Sequence, residues 1–206
     1  MHGKRVLWRN KKLMEFGKVL RVRKSVRKFS SKGISWKVLA RILEAGTLAP
    51  SSGNVQNWVF VVVADSERRK RLVNSLPSEQ GWAADAPALI VVASDNEQVK
   101  KLYGERGEKV YAIQNCAAAV ENMLLCAADL GVGSCWIGYF DEKKVAFEVD
   151  LPEFVRPQAV IALGYGELVD EKGREPLQSF VFFERYGNKR RDVGVLPLVK
   201  RGVGRR

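Results

Sequence analysis

Pro50-Ser51-Ser52-Gly53-Asn54-Val55-Gln56-Asn57 runs straight into Trp58-Val59-Phe60-Val61-Val62-Val63-Ala64, and that junction decides how the chain is read. From Pro50 to Gln56 a proline, two serines, a glycine and two amides fall within seven residues. Such a composition suits neither a helix interior nor a central strand. It suits a tight loop that offers backbone N–H groups, hydroxyls and amides to a polar ligand. The apolar run that follows is continuous rather than alternating, so it reads as a strand buried on both faces. Upstream, Arg23-Lys24-Ser25-Val26-Arg27 supplies charge for an anionic group, with arginine's planar fork suited to phosphate or to a carbonyl-rich ring edge. In an extended segment Arg23, Ser25 and Arg27 share one side. The two clusters together point to a phosphate-bearing cofactor without naming it.

Outward from this junction, helices alternate with buried strands. Leu13, Phe16, Gly17 and Leu20 recur at helical spacing, and a second helix carries Val38, Leu39, Ile42 and Leu43 on one stripe with Ser35 as its N-cap. That helix must end before Pro50. Asp65 or Ser66 caps a short charged helix, and Ala88–Ala93 is a second buried strand. Residues 94–110 form a polar, charged surface segment with helical character. Tyr111–Leu130 is the longest helix and Gly131 ends it. Ser134–Ile137 is a short strand, Asp141 caps a helix toward Val149, Pro157–Leu163 is a third buried strand, and Gln178–Phe183 reads as one more. The alternation implies α/β or α+β layering.

The net charge of +12 lies at the two ends. Residues 1–13 hold five Lys/Arg and no acid, and residues 189–206 hold seven Lys/Arg and one Asp, so the body between them is nearly neutral. The ends therefore read as a basic N-terminal arm (1–13) and a basic C-terminal tail (189–206) flanking one domain (14–188). No zinc finger, G-x-x-G clamp or aromatic-basic interleaving supports a nucleic-acid module, so nucleic acid is an unfavoured partner. No apolar stretch approaches the length of a membrane span. Three cysteines without C-x-x-C spacing disfavour a disulfide framework or structural zinc and favour a reducing, cytoplasmic setting.

Other catalytic patterns fail. The one histidine is His2, which removes His-based triads and leaves Cys135 without an activating base. Gly131-x-Gly133 precedes its strand rather than following it, and no P-loop occurs. Glu121 has no E-x-x-H partner, so no metal site is expected. A polar anion site without an acid–base set is the pattern of an enzyme whose bound organic cofactor does the chemistry.

The motifs carry a family resemblance. Arg23-Lys24-Ser25-Val26-Arg27-Lys28-Phe29 resembles the opening R-[R/K]-S-x-R-x-[F/Y] of the nitroreductase family, FMN-dependent oxidoreductases that use NAD(P)H. Ala49–Trp58 is similar to its A-P-S-[S/A]-x-N-x-Q-P-W. Asn122–Leu125 and Ala128–Asp141 resemble its central helix and W-I-G-x-F turn. Leu151-Pro152-Glu153 and Ile161–Gly166 resemble its closing motif.

The resemblance implies an α+β fold, a three-layer α-β-α sandwich around a mixed β-sheet, and a homodimer with one FMN at each of two shared sites. NADH or NADPH would be the reductant, and a nitroaromatic, a quinone or free flavin the acceptor. On the matching positions, Arg23, Lys24, Ser25 and Arg27 are expected at the phosphate, ribityl chain and pyrimidine edge. Pro50, Ser51, Ser52 and Asn54, with Gln56 at the loop's exit, are expected to reach the same flavin from the other subunit. Ile137, Gly138 and Tyr139 should flank the ring, Gly138 leaving space for it. Lys189, Arg190 and Arg191 fall nearest the family's C-terminal basic contacts. No side chain is assigned as catalytic, because the chemistry resides at flavin N5. Asn57 departs from the family's proline, which removes a fixed φ and adds an N–H. Residues 94–110, where the family shapes substrate choice, are short. Met14 is a candidate for the true start. Specialised FMN chemistry of the wider superfamily (dehalogenation, flavin destruction, ring dehydrogenation) stays open, and so, more distantly, does a basic nucleic-acid-binding role.

Overall fold

The apolar segment Ala88–Asp95 forms one of the two inner strands of the sheet. Its first seven residues are buried. The computed structural model describes residues 14–167 and 173–189. These belong to two compact units divided between residues 169 and 170. In chain order the first unit holds α1 (Phe16–Val22), α2 (Trp36–Thr47), β1 (Trp58–Val63), α3 (Ser66–Val73), β2 (Ala88–Asp95), α4 (Asn96–Arg106), α5 (Ala112–Asp129), β3 (Gly133–Ile137), α6 (Glu142–Glu148) and β4 (Val155–Gly164). The strands order as β1-β2-β4-β3. Every ladder between them is antiparallel. The sheet becomes mixed at its far edge, where Ser25 makes a parallel bridge to Ser134.

Three layers follow from the two-residue period of the strands. Ala88, Ile90 and Val92 of β2, with Ala159, Ile161 and Leu163 of β4, face a core built with Leu39 and Ile42 of α2 and Cys116, Val120 and Met123 of α5. Leu89, Val91, Val160 and Ala162 point the other way, against Leu72 of α3, Val145 of α6, and Leu76 and Ala83 between the helices and strands. Each such leucine, isoleucine or valine stabilises the fold by about 1.5–3 kcal/mol when fully buried, so central strands must be apolar on both sides.

β1 departs from its expected two-sided burial. Five of its six residues are only half-buried, because β1 is the sheet's edge and pairs with β2 alone. Apolar continuity there reflects packing on each side without a second neighbour.

The expected aspartate caps form as local hydrogen bonds. Asp65 and Asp141 accept from the backbone N–H of Arg68 and Lys144 at 2.9 and 3.1 Å. Asp95, unread in the sequence, does the same for Gln98. Ser35 occupies its N-cap position in extended backbone but makes no side-chain cap bond. Gly131 ends α5 region as expected, at φ +71.

The second unit's described part, residues 173–189, holds one 3-10 turn, Leu177–Ser179. The strand expected over 178–183 is absent there: Pro176 starts a turn, and the described residues supply no ladder partner.

Candidate functional site

Arg23 ends α1 as its C-cap, and its N–H donates back to the Val19 carbonyl. The chain then extends along the open edge of β3. Val26 N–H donates to the Ser134 carbonyl at 2.9 Å, Ser30 N–H donates to the Tyr165 carbonyl at 2.7 Å, and Phe29 bridges Gly166. Backbone bonds therefore hold this basic segment across the ends of two strands, and Val26 is its buried anchor.

That arrangement encloses a cavity of about 350 Å³, whose wall includes Arg23, Lys24, Val26, Gly133, Ser134 and Tyr165. Among the described residues no carboxylate lines it, while Arg23 and Lys24 bring two cationic side chains. The expected grouping of Arg23, Ser25 and Arg27 on one side is not realised. Arg23 shares the cavity with Lys24 and Val26, while the Arg27 guanidinium sits 5.9 Å from the Trp82 ring centroid. Arg23 is the C-cap of α1, already in extended backbone, and the bridging to the sheet edge begins at Ser25. The donor set and dimensions fit the phosphate end of FMN.

Gly53, Asn54 and Gln56 all adopt positive φ, at +55, +57 and +49. Glycine and asparagine tolerate that region and glutamine does so at a cost. The loop holds the conformation through its own polar groups. Asn54 and Val55 N–H donate to the Ser51 and Ser52 carbonyls, and Gln56 N–H donates to Ser51 Oγ at 3.0 Å. Gln56 Nε2 donates to Asn54 Oδ1 at 3.1 Å. The backbone N–H groups expected to face a ligand are thus largely engaged in shaping the loop. Hydroxyls, the Asn54 amide nitrogen and the Ser51 and Gly53 N–H groups are donors left to present.

A residue that sequence reading missed fixes this loop. Asn115, buried on α5, accepts from Ser52 N–H at 3.0 Å and donates to Ser52 Oγ at 3.1 Å and to Asn57 Oδ1 at 2.7 Å. Its signal was one amide in an otherwise apolar helical face. Asn57 is 2% exposed. Its carbonyl accepts from Asp95 N–H at 2.7 Å, and its Nδ2 donates to the Asp95 carbonyl at 3.5 Å. The departure from proline is therefore offset by a side-chain clamp.

Ile137 is buried at the end of β3, while Tyr139 is exposed. A β-carbon on Gly138 would meet only Trp136 Nε1, at 3.8 Å, so that turn is open. Among the described residues, the loop at 51–56 contributes nothing to the cavity wall at Arg23 and Lys24. Lys189 lies in the second unit, its Nζ 5.1 Å from the Phe182 ring centroid. Arg190 and Arg191 lie outside the described residues. Burial pushes the Cys116 thiol up to about 12, which makes it a poor nucleophile. Among the described residues no helix is long and apolar enough to cross a membrane.

Comparison with known proteins agrees with this geometry. The nitroreductase family model matches residues 20–76 and 73–165. A protein of Archaeoglobus fulgidus with the provisional name NADH dehydrogenase/NAD(P)H nitroreductase is 37% identical over 159 residues, covering 75% of this chain and 86% of its own. The NADH dehydrogenase of Thermus thermophilus is 29% identical, covering 69% of this chain and 82% of its own. An FMN-dependent nitroreductase of Clostridium difficile R20291 superposes with a TM-score of 0.71 at 26% identity, covering 82% of this chain and 98% of that one. The sandwich, the ordered motifs and a family match spanning most of the chain lead to one assignment: this chain belongs to the nitroreductase family of FMN-dependent NAD(P)H oxidoreductases.

Proposed function

We propose that the protein binds FMN and moves hydride from NADH or NADPH to a small organic acceptor such as a nitroaromatic or a quinone, as a homodimer with two shared sites. The observation that carries this reading is the cavity at Arg23 and Lys24, which no carboxylate lines among the described residues. A cavity of that charge suits a phosphate, and charge-assisted hydrogen bonds are the strong ones. The names of the relatives, an NADH dehydrogenase and an FMN-dependent nitroreductase, support the same chemistry.

The separation of the two donor segments supports a dimer. Within one chain the loop at 51–56 lends nothing to the cavity wall among the described residues, so a partner's loop is the natural completion. Phe16 and Leu20 of α1, Trp36 of α2 and Leu48 at its C-cap are exposed, and apolar surface of that kind marks association sites.

When bound, FMN supplies the redox chemistry by accepting and returning hydride at N5. The chain's residues hold and orient. Arg23 and Lys24 bind the phosphate. Arg27, kept over Trp82, is the cation available to stabilise the negative charge of reduced flavin. Ser51, Ser52 and Asn54 hydrogen-bond the cofactor's polar edge, and the open turn at Gly138 leaves room for the ring. Solvent can supply the proton.

The test is the visible absorption spectrum of the purified protein, followed by anaerobic titration with NADH and NADPH and a screen of acceptors. Bound flavin that either nucleotide reduces is the expected result. A colourless protein that neither binds added FMN nor oxidises NAD(P)H overturns the reading. Light scattering should give twice the 23.1 kDa chain mass, and a monomer with full FMN occupancy defeats the shared site.

A further inference from the structure

The corner joining α4 to α5 is sharply turned and aromatic, and it borders the Ser51–Gln56 loop. Gly104, inside α4, has φ +61 and ψ −149, backbone that glycine alone reaches without strain. Gly107–Tyr111 then makes a π-turn before α5, a rare form that recurs at functional sites. On the near side of the break Tyr103 reaches the loop: a β-carbon on Gly53 would collide with the Tyr103 hydroxyl. Tyr103 meets Tyr111 edge-on, with ring centroids 5.3 Å apart. Beneath them Val55 of the loop packs with Val99, Ala112 and Tyr111. Corner and loop therefore form one continuous piece.

Arg106 is the charge on this piece. Its Nε donates to the Tyr111 hydroxyl oxygen at 3.2 Å, and its guanidinium carbon lies 5.5 Å from the Tyr111 ring centroid. The nearby carboxylates are taken: Glu105 pairs with Lys109, and Glu108 pairs with Lys100 at 2.8 Å. Among the described residues Arg106 makes no ion pair. An exposed arginine is thus positioned by an aromatic ring instead of being neutralised by an acid.

We propose that Arg106 and Tyr103 determine acceptor specificity by recognising a carboxylate on the acceptor. This rests on the reading above, in which the Ser51–Gln56 loop borders the flavin. The guanidinium fork matches a carboxylate in two parallel hydrogen bonds. A ring-held guanidinium is pre-organised and loses less freedom on binding than a free one. The Tyr103 hydroxyl, which lies against Gly53, adds a donor at the loop. A neutral acceptor of the same shape gains none of this.

The probes are 4-nitrobenzoate and 4-nitrobenzamide, which share ring and nitro group and differ in charge. Binding to the holoprotein is read by calorimetry, and turnover by KM and kcat. Arg106→Ala should weaken 4-nitrobenzoate binding and raise its KM about tenfold or more, the scale of a charged hydrogen bond. The amide should shift less than about twofold, with FMN content unchanged. Arg106→Lys should retain part of the preference, and Tyr103→Phe should lose a smaller share of it. Equal changes for both probes overturn the proposal. So does a change confined to the KM for NADPH, which would assign the charge to the reductant's phosphate. Should the wild type carry no flavin and oxidise no NAD(P)H, the functional reading fails on that result alone. The calorimetric comparison of the two probes still decides whether Arg106 binds a carboxylate.

Discussion

The segment at Arg23–Arg27 and the loop at Ser51–Asn57 are both rich in donors, yet the fold holds them by opposite means. The first is tied by its backbone, through Val26 N–H to Ser134 and Ser30 N–H to Tyr165, which leaves its charged side chains for the cavity and for Trp82. The second is tied by side chains, with Asn115, Asn57 and Ser51 engaging one another and the loop's N–H groups. A charged segment needs its side chains outward, so sheet edging suits it. A loop with three residues at positive φ cannot join a ladder and needs local polar partners instead. Substitutions in the first should therefore change ligand affinity more than stability, and substitutions in the second should do the reverse.

The largest break is Asn115→Ala. It strips Ser52 N–H and the buried Asn57 carboxamide of their partner. Unsatisfied buried groups cost about 1–3 kcal/mol each, so urea denaturation should show a loss of about 2–4 kcal/mol. Asn57→Pro, which restores the family's residue, should also destabilise here because it removes the other half of the clamp. A gain in stability from that proline would sink the clamp model.

Arg23→Ala tests the other side. FMN affinity of apoprotein should weaken by about 1.5–3 kcal/mol, the range for a charged hydrogen bond, as read by titration calorimetry. Folding stability should move by less than about 0.5 kcal/mol, as for an ordinary surface change. Unaltered FMN affinity removes Arg23 from the site.

Gly53→Ala should cost about 1–2 kcal/mol for the left-handed backbone, plus the collision with Tyr103. Adding Tyr103→Ala should relieve the collision and leave the backbone cost. A double mutant as unstable as the sum of the two singles would place Tyr103 away from the loop.

The smallest effect is electrostatic. Lys28 pairs with Glu167 at 2.8 Å on the exposed edge of the basic segment. The hydrogen bond to Lys28 holds the Glu167 carboxyl below its ordinary range, and the same bond raises the Lys28 ammonium. Glu167's contribution is therefore present above the unfolded carboxylate range and lost as pH falls through the lowered value. That of Lys28 is present below the ordinary lysine range and lost as pH rises through the raised one. Amide exchange at Ser30, corrected for intrinsic chemistry, should quicken slightly at either extreme and in high salt. Exchange at Ser52, held by an uncharged amide, should not. Equal responses at both positions erase the distinction.

Much of the fold was legible because local rules suffice for it. Asp65 and Asp141 cap the helices they precede, Gly131 ends the long helix, and Ala88–Ala93 is two-sided core. Of the candidate site, the charge at Arg23 and Lys24 and the loop character of Pro50–Gln56 were also legible, since residue type alone dictates both. Other features depend on neighbours distant in sequence. Trp58–Val63 and Ala88–Asp95 look alike as apolar runs, but only the pairing order makes one an edge and the other a centre. Asn115 looks like a misplaced amide until the fold brings it to Ser52 and Asn57, 63 and 58 residues away. Tyr103 looks like part of a surface segment and Tyr111 like the start of the longest helix until the fold brings Tyr103 against Gly53 and Tyr111 against Val55. By itself, then, the sequence determined most of the helices, strands and polar loops up to Gly166, though not the strand expected over 178–183, and the family resemblance, because those follow from period, caps and short motifs. Only the tertiary structure decided which donors line a cavity and which brace the chain, because hydrogen-bond partners and burial are set by residues that sequence keeps far apart.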